Sequence, residues 1–349
     1  MTASVHTLHA PRPLADTRGR PLHDLRISVM DRCNFRCPYC MPREQFHDNY
    51  RFLNSAERLS FAEIVRLARL FAQLGVRKLR LTGGEPLLRA NLAELVGDLS
   101  SIPEIEDIAL TTNGMLLAPH AIDLAANGLS RVTVSLDTLD AETFRRMTGG
   151  LGSVEHVLQG IDAVLAAGLV PLKVNAVVER GVNDQSVLDL VEHFRGRPVI
   201  VRFIEFMDVG NRNAWRPEMV VPSRELLERV RRRWPVEPLQ QNYVGEAAER
   251  WRLCDGSAEI GFISSVSQPF CGACSRARLS SEGRLYTCLF AATGLDLRAA
   301  LRGGADDAML LDSIRACWSG RSDRYSELRE QLRDQDQQQR KIEMYYIGG

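Results

Sequence analysis

The chain has 349 residues, 45% hydrophobic and 25% charged, the profile of a folded globular protein long enough for one large core or two ordinary ones. Its 44 basic and 44 acidic residues cancel, so no overall field draws it to nucleic acid or to a membrane surface, and an anionic ligand must be met by locally clustered Arg and Lys. No apolar run approaches the roughly 20 residues of a bilayer span.

The first residues, up to about Gly19, lack the apolar stretch of a secretion signal and read as a mobile leader; the Pro-Arg-Pro at 11–13 opposes regular structure. The expected location is the cytoplasm, where thiols stay reduced and eight cysteines point to metal or catalysis rather than disulfides. From residue 25 to about 207, β-rich runs (26–30, 76–81, 107–111, 131–136, 172–177 and 199–204) alternate with amphipathic helical patterns such as 61–75 and 153–168. Such β/α repeats need crossover connections and predict a parallel sheet with helices outside. Six repeats are too few for a complete eight-stranded barrel. The expected fold is therefore α/β: a partial (β/α)6 TIM-type barrel over 20–235, with a C-terminal α+β region over 236–349 closing the open side.

Chemistry in such folds sits at the strand exits. Here these hold the cysteines of 33–40, Gly83-Gly84-Glu85-Pro86, the Thr-Thr-Asn-Gly of 111–114, Ser135 and Asp137, Asn175, and Glu205 with Met207. Polar or glycine-rich residues at all six exits predict the rim of a site. After about Gly210 the rhythm breaks. A helix at 223–234 precedes Gly- and Ser-rich segments, and 319–341 is polar enough to read as a solvated helix or loose tail.

Six of the eight cysteines fall into two groups. Cys33, Cys37 and Cys40 form Cys-X3-Cys-X2-Cys directly after a predicted strand. Three thiolates on so short a loop can ligate three irons of a cubane and leave the fourth iron open, whereas a zinc site would need a further ligand such as His47. Cys271, Cys274 and Cys288 form Cys-X2-Cys-X13-Cys, again one ligand short of a closed site unless Cys254 or Cys317 completes a zinc ribbon. Those last two cysteines read as small buried hydrophobes. Arg276 and Arg278 alternate just after the ligands, so an extended backbone turns both to one side, a disposition suited to phosphate.

The Cys33–Cys40 loop, with Tyr39 before its last cysteine, and the Gly-Gly-Glu-Pro at 83–86 resemble the radical S-adenosylmethionine superfamily. The wider set is similar to the GTP 3′,8-cyclase family of molybdenum cofactor biosynthesis. It comprises DLRISVMDRCNFRCPYC (24–40), LRLTGGEPLLR (79–89), TTNG (111–114), VTVSLDTLD (132–140), LKVNAVV (172–178), VRFIEFM (201–207), the FCXXCXRXRL pattern from 270 and the terminal Ile-Gly-Gly. The resemblance implies two 4Fe-4S clusters and S-adenosylmethionine. Cys33, Cys37 and Cys40 would hold the cluster that binds S-adenosylmethionine, with Tyr39, Gly84, Glu85, Ser135 and Met207 around that cofactor. Cys271, Cys274 and Cys288 would hold a second cluster that meets the purine of GTP, with Arg26, Arg80, Thr111, Lys173, Arg276, Ala277 and Arg278 holding the nucleotide. A 5′-deoxyadenosyl radical would abstract hydrogen from ribose C3′, and the carbon radical would attack guanine C8, giving 3′,8-cyclo-7,8-dihydro-GTP. Gly348 and Gly349 would reach into the active site. The implied partners are a flavodoxin- or ferredoxin-type electron donor, the downstream cyclic pyranopterin monophosphate synthase and a second copy in a homodimer. Two other readings stand beside this one: a radical enzyme modifying peptides, and a zinc-stabilised binding module.

Overall fold

Each β-rich run forms a strand: β1 (Asp24–Met30), β2 (Lys78–Gly83), β3 (Asp107–Thr112), β4 (Arg131–Ser135), β5 (Leu172–Val178) and β6 (Val199–Glu205). The structure, a computed structural model, describes residues 14–47, 49–333 and 341–348. The six strands lie side by side in sequence order, and every neighbouring pair is parallel. Consecutive order means that every crossover advances the same way. Right-handed crossovers then put the helices on one face, and the sheet curls around the other.

Strand periodicity decides what each face carries. Leu25, Ile27 and Val29 of β1, like Leu172, Val174, Ala176 and Val178 of β5, are buried in the core with the helices. The alternate residues face a lumen, and in β1, β2, β5 and β6 they include Arg26, Lys78, Arg80, Lys173 and Arg202. The helices start where local chemistry predicts. Ser60 and Glu63 form a capping box ahead of Phe61–Gln73, which buries Ile64, Leu67, Ala68 and Phe71 at three- and four-residue spacing. Ser153 caps Val154–Ala166.

The C-terminal region extends both edges of this sheet. On one side β9 (Glu259–Ile263) lies parallel to β6 and carries antiparallel β8 (Glu249–Leu253) and β7 (Val236–Leu239). On the other, β10 (Arg276–Leu279) lies parallel to β1 and carries β11 (Arg284–Tyr286) and β12 (Leu295–Asp296). Residues 264–275 join β9 to β10, so they run from one edge to the other and from a strand exit down to a strand entrance. Twelve residues reach at most about 40 Å, enough for both displacements. Buried Glu205 anchors the start of this crossing by accepting from the Val266 and Ser267 N–H groups at 2.8 Å each. Its end is held where the Ser275 carbonyl accepts from His23 and Asp24 N–H at 3.1 Å each.

Three expectations need correction. Residues 14–19 are no mobile leader, because Asp16 is buried and pairs with Arg20 (2.6 Å) and Arg321 (3.5 Å). A desolvated ion pair of this kind needs a fixed backbone. The rest of the expected leader, 1–13, lies outside the described residues. The polar 319–341 stretch is neither loose nor fully solvated where described. Helix Tyr325–Arg333 turns Tyr325 and Arg329 inward, where both donate to Asp208, at 2.6 and 2.8 Å. Cys254 is exposed on the β8–β9 turn rather than buried, and Cys317 is half-buried. Among the described residues no helix is long and apolar enough to cross a membrane.

Candidate active site

One cavity of about 350 Å³ runs along the lumen, and all six grouped cysteines line it. Cys33 follows the exit of β1, whereas Cys274 precedes β10, whose first residue Arg276 is in register with Asp24 at the entrance of β1. The two triplets are therefore separated along the lumen by roughly the length of β1, about 20 Å for seven residues.

The upper cysteine loop is pressed from two sides. Gly84 N–H donates to the Met30 carbonyl (2.7 Å) and Glu85 N–H to that of Arg32 (2.8 Å). A Cβ on Gly84 would stand 2.3 Å from the Arg32 carbonyl oxygen, so only glycine permits this approach. From the other side Gly149 leaves no room for a Cβ against the Arg36 carbonyl, and Arg36 N–H donates to the Thr148 carbonyl at 3.0 Å. The extra glycines of 147–152 thus back the cysteine loop. Burial, then the Glu85 carboxylate, pushes the Cys33 thiol up to about 12 against a smaller opposing pull from Arg36, and burial with repulsion from neighbouring thiols raises Cys37 and Cys40 as well.

Tyr39, Gly84, Ser135 and Met207 line the upper cavity. Tyr39 donates its hydroxyl hydrogen bond to Asp137 (2.7 Å), whose carboxyl burial pushes up to about 6 against the donors Tyr39 and Val177 N–H. Glu85 has a different place. It is 0% exposed and absent from the cavity wall; its carboxylate accepts from Leu87 N–H (3.0 Å), Thr112 Oγ1 (2.7 Å) and Asn113 N–H (2.8 Å). With every oxygen engaged it is a latch between the exits of β2 and β3. Asn113, so held, donates from Nδ2 to Asn34 Oδ1 at 2.7 Å, beside the Cys33 sulfur.

Between the triplets stands a belt of cations. Arg26 is in register with Arg80 on one side and Arg278 on the other. Arg80 Nη1 donates to Thr111 Oγ1 at 2.8 Å. Arg276 and Arg278 do face one side, while Ala277 between them points into the apolar core and off the cavity wall. Arg276 packs on Phe270 (4.8 Å) and donates to the Cys274 sulfur at 3.3 Å. Burial raises the Cys274 thiol, but Arg276 and Arg321 outweigh it and bring the thiol down to about 6. Lys173 faces the lumen one layer below Asn175 and does not line the cavity itself. Burial, then repulsion from Arg202, Arg131 and Arg80, lowers its ammonium to about 7.

The same two causes depress Arg26, bring Arg202 to about 9 and bring Arg278 to about 10. Like charges crowded and buried around one cavity mark a place suited to an anion.

Gly348 enters this belt. Arg278 Nη1 donates to its carbonyl, its φ is +70°, and a Cβ would stand 2.0 Å from Thr82 Cγ2. Gly349 lies outside the described residues. The sequence reading missed Lys78, Arg131, Arg202, Tyr243, Arg20 and Arg321, all on the cavity wall. For Lys78 the signal existed, two residues before Arg80 on one strand face. Arg202 is placed by the register of β6 on β5, opposite Asn175, to which it donates at 2.9 Å.

The Radical SAM superfamily model matches residues 27–194, and the Molybdenum Cofactor Synthesis C model matches 199–327. A GTP 3′,8-cyclase of Xanthomonas campestris is 53% identical over 337 residues, covering 97% of this chain and 98% of the relative. The chain belongs to the GTP 3′,8-cyclase family. Members named the same way in Acidothermus cellulolyticus (51% identical, 97% of this chain, 99% of the relative) and Staphylococcus epidermidis (46%, 96% and 99%) also span it. Among solved structures, Streptococcus suis SuiB bound to S-adenosylmethionine superposes with a TM-score of 0.59 at 16% identity, over 85% of this chain and 68% of that one. At that identity the likeness speaks for the fold alone.

Proposed function

We propose that this chain converts GTP to 3′,8-cyclo-7,8-dihydro-GTP, the first step of molybdenum cofactor biosynthesis. The observation that carries the reading is one cavity that holds a cysteine triplet at each end and a belt of cations between them. Both donor sets are all-cysteine and one ligand short of four, which suits two 4Fe-4S clusters with one open iron each. Gly84, Tyr39, Ser135 and Met207 line the cavity beside Cys33, Cys37 and Cys40, which suits S-adenosylmethionine on the upper cluster. Bound there, that cofactor and cluster supply a hydrogen-abstracting radical.

The chain's own part is positioning and exclusion of water. Cys33, Cys37 and Cys40 would hold the upper cluster, and Tyr39, Gly84, Ser135 and Met207 the cofactor. Glu85 supports this set from behind, through Asn113. Cys271, Cys274 and Cys288 would hold the lower cluster against the purine. Arg26, Arg80, Lys78, Arg202 and Arg278 would grip the triphosphate with charge-assisted hydrogen bonds, and its negative charge relieves their mutual repulsion. Lys173 would add its charge from the layer below, and Thr111 would orient Arg80. Ala277 contributes through backbone only. Gly348 would cap the reacting ribose from the β2 side, with Gly349 acting beside it in the sequence.

On this reading the protein works in the cytoplasm as a homodimer, takes electrons from a flavodoxin- or ferredoxin-type donor and passes its product to cyclic pyranopterin monophosphate synthase. Cys271→Ser tests the division of labour. The variant should still cleave S-adenosylmethionine but lose cyclisation; equal loss of both would refute separate cluster roles. A colourless protein holding two zinc ions after anaerobic iron and sulfide analysis would refute the whole reading.

A further inference from the structure

Arg20 belongs to no motif, yet it reaches the lower cysteine group while only 2% exposed. Its Nε donates to Asp16 Oδ2 at 2.6 Å, and its Nη1 to the carbonyls of Cys271 (2.9 Å) and Asp323 (2.6 Å). Its Nη2 is buried and has no partner among the described residues. Arg321, 4% exposed, stands beside it. Its Nη1 donates to the Cys274 carbonyl at 2.7 Å and approaches Asp16 Oδ2 at 3.5 Å, while its guanidinium lies 4.5 Å above the Trp318 ring. Two guanidiniums fixed by one carboxylate thus hold the backbone of two of the three cysteines.

A buried charged N–H without an acceptor is destabilising, and such groups are rare in folded proteins. Arg20 lines the same cavity as Cys271, Cys274 and Cys288. We propose that Arg20 Nη2 donates a hydrogen bond to the iron–sulfur group held by those three cysteines, and that Asp16 and Arg321 fix Arg20 in place for it. The inference rests on the lower-cluster reading given above. Hydrogen bonds to cluster sulfurs favour the reduced, more negative state and so raise the reduction potential. Net charge is not the lever here. Asp16 and Asp323 balance Arg20 and Arg321, and Asp323 itself lies 3.4 Å from Arg321 Nε.

The test uses the full chain carrying Cys33→Ser, Cys37→Ser and Cys40→Ser, which leaves the lower cluster alone. Iron content, melting of the apo-protein and an electron-paramagnetic-resonance redox titration are compared with and without Arg20→Gln and Arg20→Lys. The midpoint potential should fall in both variants. It falls with lysine although the charge is kept, because one ammonium cannot reproduce the planar fork. Reduced iron at unchanged apo melting supports the positioning role. Full iron with unmoved potentials overturns the proposal, as does weaker GTP binding at unmoved potential, which would assign Nη2 to the substrate. If Arg20→Gln fails to fold, Arg20→Lys and Asp16→Asn carry the same comparison, and unmoved potentials in both overturn it. A parent protein without iron would sink the lower-cluster reading itself and this inference with it.

Discussion

Replacing Gly348 by alanine tests whether the tail belongs to the active site. The change adds one carbon, yet that carbon meets Thr82 Cγ2 at 2.0 Å and Thr82 Oγ1 at 2.7 Å, on a backbone with φ of +70°. Left-handed backbone costs an L-residue roughly 1–2 kcal/mol. Overpacking a tight site adds roughly 1–3 kcal/mol. Together they weaken docking of the last residues by about 2–5 kcal/mol, some 30- to 3,000-fold in the docked population at about 1.4 kcal/mol per decade. Helix Met344–Ile347 should stay in place, because Tyr345 is buried on Phe46 and its hydroxyl bonds that of Tyr50 at 3.0 Å. Only the end lifts, and the Arg278 contact goes with it. The assays are product formation, S-adenosylmethionine cleavage and hydrogen exchange over 341–349. Cyclisation should fall at least tenfold while cofactor cleavage and the melting temperature hold. Wild-type turnover from Gly348→Ala, with the tail equally protected, would refute the reasoning.

Lys173 supplies a pH signature. Folding lowers its ammonium from 10.5 to about 7, so between those values the unfolded chain binds the extra proton and stability of the ligand-free protein rises with pH. GTP should restore the charge, so calorimetry above pH 7 in buffers of different ionisation heat should record proton uptake that Lys173→Met abolishes; uptake unchanged in the variant would contradict this. Arg202→Ala should weaken GTP binding by about 1.5–3 kcal/mol, the range for a charged hydrogen bond, with little effect on S-adenosylmethionine binding. Equal affinities for GTP would remove Arg202 from the nucleotide site. Glu85→Gln replaces an acceptor by a donor facing Asn113 N–H or the Leu87 and Thr112 donors, and should cost about 1–3 kcal/mol in melting experiments. It should also lower iron retention at the upper site, and a variant with unaltered melting and iron would show that the latch is dispensable.

Local pattern was sufficient for the parts whose cause is local. The strand period put Arg276 and Arg278 on one side, and the amphipathic patterns at 61–75 and 153–168 marked two helices. Long-range closure was harder to see. Glu85 sits in a motif beside the cysteine loop, but its acceptors are used by Thr112 and Asn113 on the next strand exit, and nothing in the local sequence announces that. Arg20 and Arg321 are some 300 residues apart in the chain and acquire meaning only when β10 docks on β1. The family resemblance implies Lys173 at the nucleotide, but its depth below the cavity wall depends on the stagger of β5 against its neighbours, which composition does not encode.

In the proposed reaction, a radical generated at Cys33, Cys37 and Cys40 would be aimed at a GTP ribose held above Cys271, Cys274 and Cys288. Anaerobic turnover of reconstituted protein with dithionite, S-adenosylmethionine and GTP deuterated at C3′ measures this directly by mass spectrometry and chromatography. The expected result is GTP-dependent formation of 5′-deoxyadenosine carrying the deuterium, matched by a nucleotide that elutes apart from GTP. Formation of 5′-deoxyadenosine at the same rate without GTP, or free of deuterium with it, would contradict the account.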